Sequence, residues 1–205
     1  MVQGEISSLS TNIIPKALLR GPYSFFIMTL KTFYFNPYRE CTYVLSDAEK
    51  HAIVIDAGMY EEREQQRFTE YIHKEQLEIV GLLITHAHPD HVCGKEFVEN
   101  SFNIKAIIQP IEGQLALPYF NIEVIATPGH KEDAVCYYLP NEKMIFTGDT
   151  LFQESIGRTD LPGGDMGTLI RSLKKLVVLP EDTQIYPGHG YSTTIAHEKL
   201  YNPYL

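Results

Sequence analysis

The segment "THAHPDH", Thr85 to His91, crowds three imidazoles and a carboxylate into seven positions, directly after the apolar run "VGLLI". Imidazole and carboxylate together are the donor set of zinc, iron and manganese. Histidines that were merely solvated on a surface loop would leave the aspartate among them unexplained. The chain has 8 histidines, and two more share this kind of setting: His130 in "TPGH" and His189 in "YPGHG". Asp149 in "FTGDT" completes the pattern. Each sits on a glycine-containing turn just after an apolar stretch, so a sheet whose loops meet at one edge would gather them all. His51, His73 and His197 lack such a setting and read as surface residues.

Pro89 opposes an ordinary helix running through H-x-H-x-D-H, because its ring and missing N–H break the helical ladder. On an extended stretch His86 and His88 point the same way, since side chains alternate with period two. Asp90 and His91 then fall on the following turn, within reach of a second ion. Five imidazoles and two carboxylates are too many for one tetrahedral zinc. Shared between two ions with one bridging carboxylate, they suit a two-metal site about 3.5–4 Å across. Such a pair lowers the pKa of a bridging water and polarises a carbonyl or phosphoryl group. Zinc is the first expectation for both ions, with iron and manganese as the other metals this donor set takes.

The elements that must position these residues are legible as periodic runs. "LKTFYF", "CTYVLSD", "HAIVIDAG", "VGLLIT", "IKAIIQ", "FNIEVIAT", "AVCYYL", "KMIFTG" and "QIYPGHG" read as strands, rich in aromatic and β-branched residues and divided by Gly, Pro, Asn and Asp turns. A helix is expected from Tyr60 to about Gln76, with Phe68, Tyr71 and Ile72 on one face. Asp165 is placed to cap a second, in which Met166, Leu169, Ile170, Leu173, Leu176 and Val177 recur at helical spacing. A last helix runs from about Thr193 to Leu200. Strands alternating with isolated helices imply sheet layers covered by helices, in an α/β or α+β domain.

A chain of 205 residues suits one domain, with or without a short extension. Seventeen basic against 26 acidic residues give a net charge of −9, with no basic block to hold nucleic acid or an anionic membrane. Cys41, Cys93 and Cys136 are an odd number without C-x-x-C pairing, which argues against a disulfide framework and for a reducing, cytoplasmic setting. Cys93 reads as a small residue packed beneath the histidine loop, the alternatives being a metal ligand or a redox thiol. No run of about 18 apolar residues is present to span a membrane. Met28 is a second candidate start, so residues 1–27 read as an N-terminal extension and residues 28–205 as the folded domain.

"THAHPDH", "TPGH", "FTGDT" and "YPGHG", in this order, resemble the metallo-β-lactamase superfamily over about residues 29–205. The resemblance implies an α+β fold, a four-layer αββα sandwich with metals at one end. It also implies a division of ligands: His86, His88 and His130 for the first ion, Asp90, His91 and His189 for the second, and Asp149 as the bridge.

Within the superfamily, Asp149 sets the chain apart from the lactamases proper, which usually lack the bridging aspartate. His88 stands where the flavo-diiron branch has Glu. Related nucleases generally need an extra arm that neither length nor charge supports here. "GRTDLPGGD" (Gly157–Asp165) and the terminal "EKLYNPYL" resemble short glyoxalase II-type hydrolases, implying cleavage of a small acyl thioester by a bridging hydroxide. Arg158 then takes the place of a substrate-binding lysine and could grip a carboxylate with two hydrogen bonds. Its other reading is a pair with Asp160 inside a structural turn. Asp90 could double as the proton acceptor, beside the bridging Asp149. Three further readings differ in function: a mononuclear-iron persulfide dioxygenase, which shares "GRTD" but has "YPAHDY" where this chain has "YPGHGY"; a lactonase or phosphodiesterase of the same fold; and a metal-binding scaffold without turnover.

Overall fold

The computed structural model describes residues 28–205, so the expected extension over residues 1–27 lies outside the described residues. Five strands form the first sheet: β1 (Thr29–Phe35), β2 (Glu40–Ser46), β3 (His51–Ile55), β4 (Glu78–Leu83) and the short β5 (Ala106–Ile107), neighbours in that order. Helix α1 (Glu62–Glu75) crosses from β3 to β4, and α2 (Pro89–Val92) and α3 (Lys95–Phe102) lie between β4 and β5.

The second sheet takes β6 (Gly113–Leu117), β7 (Phe120–Ala126), β8 (Val135–Leu139) and β9 (Met144–Gly148). A small ribbon of β10 (Leu151–Phe152) and β11 (Ser155–Ile156) and helix α4 (Met166–Leu176) precede β12 (Gln184–Pro187), β13 (Thr193–Thr194) and α5 (Ile195–Tyr201). Its spatial order is β13-β12-β9-β8-β7-β6.

Period-two alternation sorts the side chains into three apolar layers. Ile53 and Ile55 of β3 turn toward Tyr137 and Leu139 of β8 in the core between the sheets. Ala52 and Val54 face the other way, against Phe68 and Ile72 of α1 and Val98 of α3. Cys136 and Tyr138 of β8 meet Leu169, Leu173 and Leu176 of α4 and Ile195 of α5. The result is the α+β architecture of four layers, αββα.

Two buried tyrosines tie the sheets together near the histidine-bearing turns. Tyr43 of β2 donates its hydroxyl to the Pro187 carbonyl at 2.7 Å, and Tyr137 of β8 donates to the Ile84 carbonyl at 2.8 Å. Each acceptor lies two residues before a histidine, His189 and His86.

Several expectations shift in detail. Helix α1 is bounded by Glu61 and Gln76, with the Glu64 carboxylate accepting from the Tyr60 and Glu61 N–H groups. Asp165 caps α4 through the Thr168 N–H at 2.6 Å, but Met166 is exposed, because the first turn stands clear of the sheet. The run "IKAIIQ" contributes only a two-residue strand. Helices α2 and α3 and strands β6, β10, β11 and β13 are additions to the sequence reading. Pro89 opens α2 at its first position, where a missing N–H costs nothing, so Asp90 and His91 lie on one helical turn rather than a loose one.

Candidate metal centre

The strands that end at one edge of the sandwich carry the motif residues. His86, His88, Asp90 and His91 follow β4; His130 follows β7; Asp149 follows β9; His189 follows β12. Strands β9 and β12 are parallel neighbours with Pro187 opposite Gly148, which delivers Asp149 and His189 side by side. Two glycines permit the approach. A Cβ on Gly188 would lie 2.3 Å from Asp149 Oδ1 and 2.6 Å from the His91 ring. Gly148 has φ +48, and its Cβ would lie 2.4 Å from Thr85 Oγ1.

The structure brings together all seven residues singled out as ligands. His88 Nδ1 lies 3.0 Å from His86 Nε2 and 2.8 Å from His130 Nε2, three imidazole nitrogens facing one point. Asp90, His91 and His189 form an adjoining group, with His189 Nε2 3.2 Å and His91 Nε2 3.7 Å from Asp90 Oδ2. Asp149 stands between the two. Its Oδ2 is 3.6 Å from both His130 Nε2 and His189 Nε2, and its Oδ1 is 3.4 Å from His91 Nε2.

Four of the five imidazoles have their remaining nitrogen held. His86 Nδ1 contacts Thr85 Oγ1 at 3.1 Å, and His91 Nδ1 contacts Asp56 Oδ2 at 2.8 Å. His130 Nδ1 is 2.8 Å from the Arg158 carbonyl and His189 Nδ1 is 3.1 Å from that of Tyr38. Such contacts set the tautomer and leave Nε2 to face the centre.

Donor chemistry and unmet hydrogen bonding fit a metal pair. His91 Nε2 and Asp149 Oδ1 are buried without a hydrogen-bond partner, and a bound cation supplies what such groups lack. Burial holds His86 well below, and His88 below, the ordinary imidazole value, so both stay in the neutral, metal-binding form. Burial also opposes charge on His91, yet Asp56 and Asp149 outweigh it and hold its imidazolium well above the usual range. For Asp90 and Asp149 burial pushes upward, but His189 beside Asp90 and His91 beside Asp149 hold both carboxyls low. A metal held by His91 and His189 would compete with their protons, so its binding would weaken as pH falls.

Three carboxylates escaped the sequence reading. Asp56 accepts from the Thr85 N–H at 2.7 Å and the Thr85 hydroxyl at 2.8 Å, as well as holding His91. Its place at the end of a strand, like Asp149, was the available clue. Glu40 is wholly buried and joins Asp56 and His91 in one cluster of potential ligand atoms. Asp133 anchors the loop through the Ala87 N–H at 3.1 Å.

Arg158 does not reach into the cluster. Its exposed guanidinium makes two bonds to Asp160, 2.8 and 2.7 Å long, while its carbonyl holds His130. Cys93 is exposed rather than packed beneath the loop, because α2 turns it outward and its thiol meets the Gly58 carbonyl at 3.1 Å. Of the remaining histidines, His73 is exposed, and His197 pairs with Glu154 at 2.9 Å. His51 is not a free surface residue: its ring stacks on Tyr119 at 3.5 Å and its Nδ1 bonds Asp47 at 2.9 Å.

The family model of the metallo-β-lactamase superfamily matches residues 39–120 and 120–189. The chain belongs to this superfamily. Among curated relatives, a protein named hydroxyacylglutathione hydrolase GloC from Haemophilus influenzae is 35% identical over 201 residues, covering 82% of this chain and 92% of that one. Among solved structures, the B3 metallo-β-lactamase BLEG-1 superposes with a TM-score of 0.80 at 31% identity, covering 86% and 99% of the two chains. TTHA1623, solved in a di-iron-bound form, has a TM-score of 0.75 at 30% identity and covers 85% and 100%. The metallo-β-lactamase fold binds divalent metals, and the histidine and aspartate groups described above are this chain's counterpart.

Proposed function

We propose that this metal-dependent hydrolase of the superfamily is binuclear and cleaves a small acyl thioester, in the manner of hydroxyacylglutathione hydrolases. The observation that carries the reading is Asp149, whose carboxylate stands between a three-histidine group and the Asp90–His91–His189 group. His86, His88 and His130 would hold one ion, Asp90, His91 and His189 the other, with Asp149 shared. Zinc is the first candidate, followed by iron and manganese. Similarity to the Haemophilus influenzae protein over most of both chains supports the thioester.

When bound, the ions supply an activated water and polarise the scissile carbonyl. The chain's own residues do the rest. Asp90 is partly exposed and 3.2 Å from His189, a position from which its carboxylate can take up the water's proton. The carbonyls of Tyr38 and Arg158 keep His189 and His130 from turning. Arg158 exchanges Asp160 for a substrate carboxylate, a small loss for a pair that is fully open to water.

The test is a thioester panel, including S-lactoylglutathione, run with zinc-loaded protein with and without oxygen. Free thiol released at the same rate without oxygen is the expected result. Iron-dependent oxygen uptake with glutathione persulfide and no thiol release would replace this reading with a persulfide dioxygenase. A silent panel without oxygen uptake would point to lactone or phosphodiester hydrolysis.

A further inference from the structure

Beside the metal centre, the edge strand β1 and helix α1 enclose a groove of about 600 Å³ that holds three cations, Lys31, Arg39 and Arg67. This is out of keeping with a chain of net charge −9. Among the described residues, none of the three has a carboxylate in ion-pair range, as is also true of the exposed Lys50, Arg63 and Lys74; what sets these three apart is that they line one groove. Each of the three lies over an aromatic face. Lys31 Nζ is 5.4 Å from the Phe33 ring, Arg39 Cζ is 5.1 Å from Tyr34, and Arg67 Cζ is 5.0 Å from Phe35. Rings hold a cation in place without neutralising it, so the N–H edges stay available to an anion. Arg67 is further fixed by its bond to the Tyr34 carbonyl at 3.0 Å. Glu64, one turn before it on α1, is engaged by the Asn36, Tyr60 and Glu61 N–H groups.

The turn from Asn36 to Arg39 links the groove to the metal centre. Asn36 donates to the Asp90 carbonyl at 3.0 Å, and the Tyr38 carbonyl holds His189. Arg39 directly follows Tyr38. We propose that this groove binds the anionic arm, carboxylate or phosphate, of the thiol half of the substrate. The assignment of that arm to a substrate rests on the thioester reading; the anion site itself does not.

Calorimetric titration of the full, zinc-loaded chain with glutathione, coenzyme A, inorganic phosphate and neutral 2-mercaptoethanol tests it. One of the two anionic thiols is expected to bind, and Lys31→Glu, on an exposed side chain, to weaken it about tenfold, as loss of a charge-assisted bond does. Arg39→Glu should do the same. Competition by phosphate would assign the site to coenzyme A-like carriers, and its absence to a carboxylate carrier. In parallel, KM for the matching thioester should rise in both variants while an acyl-mercaptoethanol is cleaved as before. Binding no tighter than that of 2-mercaptoethanol, or binding indifferent to both substitutions, overturns the groove. Anion binding that is sensitive to both substitutions, in a chain that cleaves no thioester, would retain the groove and remove the thioester function.

Discussion

Asp56 Oδ2 lies 2.8 Å from His91 Nδ1, and both side chains are buried. A carboxylate behind an imidazole in this way fixes the ring and raises its basicity toward a metal. Asp56→Asn keeps the shape and tolerates the φ of +57 at this position, but removes the negative charge. The expected outcome is a fall of about 10- to 100-fold in affinity for one of two ions, measured by chelator competition. Unchanged affinity would reduce Asp56 to a loop anchor.

Asp149→Ala should disturb both ions, because the shared carboxylate faces both groups, while His189→Ala should weaken chiefly one. Elemental analysis after dialysis reads this directly. The native chain is expected to hold close to two transition-metal ions. Full activity with a single stable ion under metal-replete conditions would refute the binuclear assignment.

Glu40 carries a pH dependence. It is wholly buried, its Oε1 has no hydrogen-bond partner, and burial pushes its carboxyl well above the usual range, although His91 pulls the other way. The folded, metal-free chain therefore keeps a proton here that the unfolded chain releases near the ordinary value of about 4.3. Stability from that proton is complete below this value and is lost as pH rises toward the raised one. Glu40→Gln should flatten the decline and raise the melting temperature of the metal-free protein at pH 7 by about 2–4 °C, near 1 kcal/mol. A lower melting temperature would show that Glu40 is ionised in the fold.

Arg158→Ala should raise KM roughly tenfold, with a smaller effect on kcat, if the guanidinium grips a substrate carboxylate alike in ground and transition states. Steady-state kinetics separates this from a turn-building role, in which neither constant moves. The Arg158 carbonyl, which holds His130, is left in place by the substitution.

Tyr43→Phe and Tyr137→Phe each remove a buried hydroxyl and orphan a carbonyl, Pro187 or Ile84. A loss of about 1–3 kcal/mol each is expected from urea unfolding. Because the acceptors lead into the turns of His189 and His86, metal affinity should drop alongside stability. A stability loss without any change in metal binding would separate the sheet contacts from the site.

Much of the site was legible in the sequence because its chemistry is local. The H-x-H-x-D-H spacing singled out His86, His88, Asp90 and His91, and a donor on a glycine turn after an apolar strand singled out His130, Asp149 and His189; both are short-range patterns. Sheet layers covered by helices were legible for the same reason, from strand runs and the helical spacing of α4, whereas the four-layer α+β sandwich was what the resemblance to the superfamily implied. What local pattern cannot encode is which residues meet. Asp56 and Asp149 look alike as strand-end aspartates, yet one holds the back of His91 and the other faces both histidine groups. That difference arises from packing two sheets against each other, with Gly188 letting β12 approach Asp149. Cys93 and Met166 turned outward, and Glu40 inward, because burial depends on neighbours in other layers rather than on adjacent residues. Lys31, Arg39 and Arg67 are unremarkable in the sequence; only the packing of α1 beside the edge strand makes one cationic groove of them.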